Sequence, residues 1–137
     1  MQTLPRSTSS VTALQVQRHL EQLAANIGTS SVVHSVDDPG TGQAIPVDLS
    51  ASIALVIGAG AETNTLAAPT FQGQQLSICC KSVGGGTRTI TAAAAINVAG
   101  NTHMAFSVAR HAILLTGVQV GAALVWSVTS KDGTALS

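Results

Sequence analysis

The chain has 137 residues, of which only 9% are charged and 45% apolar, and six basic residues balance six acids to a formal net charge of zero. That length suffices for one domain with its own hydrophobic core. The charge balance excludes a phosphate-binding surface, which needs clustered Lys and Arg, whereas the six here are scattered from Arg6 to Lys131. A surface so poor in charge has little self-repulsion, so much of it is expected to be covered by copies of the chain or by a partner.

Residues 1–10 are mostly polar, with Pro5, Arg6 and the hydroxyl run Ser7 to Ser10, and read as a flexible arm. A signal-peptide core is absent from this start, and no run approaches the roughly 20 apolar residues of a spanning helix, so the reading is a soluble chain made in the cytoplasm. Thr12 and Gln15 fit a capping box, with Val11 and Val16 at the positions of a hydrophobic staple. Val16, Leu20, Leu23 and Ile27 then recur at helical spacing until Gly28, which predicts one amphipathic helix of about 15 residues, roughly 22 Å long. Its apolar stripe either covers an end of its own domain or packs on a neighbouring subunit. The division is an arm and helix over 1–30 and a β-domain over 31–137.

After Gly28 the period turns from helical to alternating. Strands are predicted near 31–35, 45–49, 53–57, 63–66, 75–81, 87–92, 96–98, 104–108, 113–118 and 124–129. Gly58-Ala59-Gly60 reads as a turn, because no third glycine or helix follows to make a nucleotide loop. Leu76, Ile78 and Cys80 share one face of their strand, and Gly84, Gly85 and Gly86 are expected to fold it back as a hairpin onto Thr87–Ala92. Further hairpins are expected at Gly100-Asn101 and around Gly121, the latter placing Leu124, Trp126 and Val128 on one face. Four alanines, Ala92 to Ala95, suggest closely approaching sheets. No internal repeat stands out. The predicted fold is all-β, a small barrel or jelly-roll-like sandwich preceded by the helix.

Groups able to do chemistry are few and dispersed. His19, His34, His103 and His111 are isolated, without metal-ligand spacing. Adjacent Cys79 and Cys80 point to opposite faces of a strand and read as free thiols. Asp37-Asp38-Pro39-Gly40 is turn chemistry, and no nucleophile elbow is present. With only Phe71, Phe106 and Trp126 as aromatics, a stacking platform for bases is hard to build. No metal, cofactor or catalytic set is assigned. A cupin-like enzyme would require His34, His103 and His111 to converge on one cavity with an acid.

Four stretches carry a family resemblance: Gly60 to Pro69; Gly73 to Leu76; Thr89 to Asn97 with Gly100 to Thr102; and Gly117 to Ser127 leading to Asp132-Gly133. Over residues 58–137 the chain resembles small virion proteins of tailed phages, a group that includes capsid decoration or cement proteins. The resemblance implies a non-enzymatic β-domain that binds the capsid exterior, with the major capsid protein as partner, as a homo-oligomer, a trimer before a dimer. Other virion roles, such as a head-fibre base, tail component or receptor-binding module, are the alternative. Arg6, Val16, Arg18, Leu20, Leu23 and Ile27 are the expected contacts to a subunit neighbour or the shell.

Overall fold

The computed structural model describes residues 17, 18 and 32–137. The chain divides into two compact units, Met1–Val32 and Val33–Ser137. In the first, Gln17 and Arg18 are helical and exposed. The arm and the rest of the helix read from the sequence, including Arg6, Val16, Leu20, Leu23 and Ile27, lie outside the described residues.

The second unit is built of strands. They are β1 (His34–Val36), β2 (Ala51–Ile57), β3 (Ala61–Leu66), β4 (Gln75–Val83), β5 (Thr87–Ala92), β6 (His103–Phe106), β7 (Ala112–Val120), β8 (Ala123–Asp132) and β9 (Ala135–Leu136). Alternation of small or hydroxylated residues with Ile, Leu and Met sets which side of each strand is buried, as in β2, where Ala51, Ile53, Leu55 and Ile57 face in. Two mixed sheets result, ordered β1-β2-β4-β7-β8 and β3-β5-β6-β9. Leu55, Ile78 and Leu115 from the first sheet and Leu66, Ile90, Met104 and Phe106 from the second belong to one buried core. No helix among the described residues is long and apolar enough to cross a membrane.

The predicted barrel or jelly roll is corrected to two open sheets that include parallel pairs: β1 with β2, β2 with β4, and β3 with β5. The cause is a glycine corner used twice. At Gly58-Ala59-Gly60 the chain leaves β2 in the five-stranded sheet and enters β3 in the four-stranded one, and at Gly84-Gly85-Gly86 it passes from β4 to β5 in the same way. The expected hairpin between β4 and β5 is therefore a corner between sheets. One corner sits on the other: the N–H of Gly84 donates to the Ile57 carbonyl at 2.8 Å and that of Gly86 to the Gly58 carbonyl at 2.9 Å. A Cβ on Gly86 would overlap the Gly60 carbonyl oxygen, so only glycine permits this approach. Ala51 pairs with Leu76 and Ala61 with Thr87, so the two arms repeat at 25 and then 26 residues, the extra one entering at a bulge between Leu55 and Val56.

Three smaller expectations also change. The segment 45–49 forms no strand: an isolated bridge just before it pairs Ala44 with Thr65, and Pro46 has no N–H to continue a ladder. The hairpin through Gly100-Asn101 is present, but its arms are β5 and β6, and the segment 96–98 belongs to its loop, in a turn closed by the Gly100 N–H on the Asn97 carbonyl, instead of forming a strand. Of the four alanines, Ala92 alone is buried. The β7–β8 hairpin is present as read, pairing Val120 with Ala123 and Gly117 with Trp126.

Candidate binding surface

Strand alternation that buries one face of each sheet necessarily turns the other outward. On the five-stranded sheet, cross-strand partners line up as a row, Ser35, Ser52, Ser77, Leu114 and Ser130, that runs over all five strands. Beside it lie Ala54, Cys79 and Ala112 on one side and Gln75, Thr116 and Ser127 on the other. Charged side chains border this face: Lys81, exposed near the end of β4, Lys131 and Asp132 at the end of β8, and Asp37 and Asp38 beside Ser35 and Ser52. On the four-stranded sheet the corresponding row is Thr63, Thr89, Ala105 and Ala135, flanked by Thr65, Thr91 and His103. Both outer faces thus present hydroxyls, methyls and methylenes with almost no charge.

The charges have gone elsewhere. Asp37, Asp48 and Arg110 sit in loops, and Lys131 and Asp132 at the end of β8. Asp38, Glu62 and Arg88 are joined inside the corner end of the unit. Arg88 shares the inward phase of β5 with Ile90 and is only 2% exposed. Its Nε donates to Glu62 Oε2 at 2.7 Å, Nη1 to Asp38 Oδ1 at 2.7 Å and Asn64 Oδ1 at 3.2 Å, and Nη2 to the Val56 carbonyl at 3.1 Å, with Glu62 Oε2 at 2.5 Å from Nη2. Five donors therefore meet five contacts, the condition for burying a guanidinium.

The carboxylates are held from their other sides. Asp38 accepts from the N–H of Gly40 and of Val56, Glu62 from the N–H of Gly58, and Asn64 donates to the carbonyls of Gly40 and Gln43. Burial works to raise the Asp38 carboxyl, but the bonds from Arg88, Val56 and Gly40 and the Arg88 charge outweigh it and hold it below its ordinary value. Glu62 is held low by the Gly58 N–H and then by Arg88. For Arg88, burial opposes the charge while the two carboxylates more than restore it, so the group stays protonated. The cluster fastens the 38–43 loop, β2, β3 and β5 together and so sets the angle between the two outer faces.

Shallow grooves indent the first face. One of about 330 Å³ is lined by Ser77, Leu114 and Ser130 with Lys131 and Asp132 at its rim. Another, about 320 Å³, lies at the β7–β8 hairpin end between Val98, Val118, Val120, Val125 and Trp126. Val98 and Val120 are exposed there, as is Val56 at the opposite side of the sheet.

Of the contacts read from the sequence, Arg18 is exposed on its helical turn, and the other five fall outside the described residues. His34 opens β1, His103 opens β6 with Nδ1 at 3.0 Å from Thr102 Oγ1, and His111 precedes β7 against Gly133. Among the described residues no three His, Cys, Asp or Glu side chains gather as a metal set. Cys79 and Cys80 are free thiols, and burial, with the neighbouring Cys79, pushes the Cys80 thiol up. The turn at Asp38-Pro39-Gly40 is present, closed by the Asp38 side chain on the Gly40 N–H, and Gly40 has a φ of 83°. What sequence reasoning missed was the Arg88 cluster. Its signal was phase: Arg88 alternates in step with Ile90, and Glu62 and Asn64 with Leu66. No family model matches the chain, and neither does any curated protein.

Proposed function

We propose that this chain is a structural protein of a tailed-phage particle, one that binds the outer surface of the capsid as a homo-oligomer and cements neighbouring capsid subunits. The observation that carries the reading is the pair of broad outer faces, one on each sheet, from which charge is nearly excluded while three charged groups are spent on holding the faces in place. Such faces favour contact over hydration. A cement needs no reacting group. It needs two adhesive surfaces at a fixed angle, so that its binding free energy is lost if the subunits it bridges come apart. Oligomerisation adds effective concentration at each further lattice contact. The resemblance of residues 58–137 to small virion proteins points the same way.

The test is to mix the purified chain with shells lacking it and to measure co-sedimentation, copy number and the temperature at which the shells open. Many copies spread over the shell and a higher opening temperature are expected. A few copies at one vertex would transfer the chain to a fibre-base or tail role, and no association would remove the virion reading.

A further inference from the structure

A surface that must lose its water on binding is best built without charges, because each charge buried without a partner opposes the contact. The β-unit sorts its charges by end. β1, β2 and β4 run toward the glycine corners, β5 and β7 leave that end, and β6 and β8 return to it. Asp37 and Asp38 follow β1, Lys81 lies near the end of β4, Arg110 stands between β6 and β7, and Lys131 and Asp132 close β8, so these charges all lie at the corner end. Glu62 and Arg88 are paired at the same end, near the starts of β3 and β5. The other end is made of the loops 46–50, 67–74 and 93–102 and the β7–β8 turn. With histidine neutral, Asp48 is the one charged side chain of Val33–Ser137 found there.

That uncharged end projects apolar side chains from a loop whose polar groups are already paired. Asn97 Nδ2 donates to Asn101 Oδ1 at 2.8 Å, the Asn101 N–H donates to Asn97 Oδ1 at 3.0 Å, and the Gly100 N–H closes the turn on the Asn97 carbonyl. Beneath the turn, the Ile96 N–H donates to the Asn101 carbonyl, and the Ile96 carbonyl accepts from the Val128 N–H. Val98 rides on this clasp, 108% exposed, with Ala99 exposed beside it and Val120, 59% exposed, across the groove they border. A side chain held out by a closed set of hydrogen bonds loses little further freedom on binding. At the corner end the exposed valines stand among charges. Val56 shares a cleft with Asp37, Asp38 and Lys81, and Val108 leads into Ala109-Arg110.

We propose that the uncharged end is the one that meets the shell, so that the β-unit stands on Val98 and Val120 with its glycine corners toward solvent. The inference rests on the capsid reading and deepens it by giving the bound unit a polarity. Its partner is an uncharged, apolar patch of the capsid exterior. Drying the corner end would strip water from Lys81, Arg110, Lys131 and Asp132, whereas drying the other end strips it from no charge but Asp48. The charge distribution therefore selects the end, and the paired loop polar groups keep the cost of drying it low. The two sheet faces run from one end to the other, so in this orientation they flank the contact and meet whatever neighbours the unit.

In a full-length Cys79→Ser background, Val98→Cys puts a thiol on the uncharged end and Val108→Cys puts one at the corner end, both at exposed sites outside the core. Maleimide labelling is followed on the free chain over a range of concentrations and on shells that carry it. Shells are expected to slow labelling of Val98→Cys by about tenfold and to leave Val108→Cys unchanged, and Val98→Asp is expected to weaken attachment by about tenfold where Val108→Asp does not. Protection of Val108→Cys instead, or of neither on shells that hold the chain, overturns the polarity and leaves the capsid role standing. Protection of Val98→Cys in the free chain as concentration rises gives that end to a second copy and also overturns it. A chain that ignores shells removes the capsid reading and this inference with it.

Discussion

An arginine on the buried side of a strand is tolerable only when its donors are all met, and Arg88 meets that condition with Asp38, Glu62, Asn64 and the Val56 carbonyl. Replacing it by methionine keeps the bulk but leaves a buried cluster with two half-buried carboxylates and no counter-charge. Arg88→Met is expected to cost about 3–5 kcal/mol, read from urea unfolding. Arg88→Lys restores the charge but not the planar fork, and is expected to recover only part of that loss. The same cluster sets an acid limit. Asp38 and Glu62 titrate lower in the folded chain than in the unfolded one, so their stabilisation is complete above the unfolded values near pH 4 and is lost as pH falls through the lower folded values. Thermal melts between pH 7 and pH 2.5 should show the fall below about pH 4, and Arg88→Met should flatten it.

At the scale of elements, the corners are the decisive parts. Gly86 lies against the Gly60 and Gly58 carbonyls, whereas a Cβ on Gly60 would meet nothing within 4 Å. Gly86→Ala is therefore expected to lower stability by about 3 kcal/mol, the upper end for an overfilled site, and Gly60→Ala to change it by less than about 0.5 kcal/mol. Paired melting curves check the contrast. The same corners explain what was and was not legible beforehand. Alternation in Leu76, Ile78 and Cys80, or in Arg88 and Ile90, tells which side of a strand faces the core, and those faces were readable. It does not tell which strand lies alongside. A triple glycine between two alternating runs fits a hairpin and a corner equally well, and the choice here rests on stacking against Gly58–Gly60, more than twenty residues earlier. The two-arm repeat escaped notice for a related reason: its spacing changes at the bulge near Val56, and only Ser52-Ile53 with Ser77-Ile78, the glycines and the outward threonines keep step.

For the whole molecule, composition gives a chain poor in charge, and the charge-poor sheet faces are where the described unit expresses it. The location of those faces was not readable, because it depends on which loops and cluster take up the six acids and six bases. Arg88, Asp38 and Glu62 neutralise one another inside, and the loop and strand-end charges stay at the rims. Adhesion through such faces is governed by the release of water rather than of ions. Raising sodium chloride from 50 to 500 mM should leave attachment to shells undiminished, and sulfate should tighten it. Cooling should loosen the grip, so a particle fastened this way would hold better warm than near freezing.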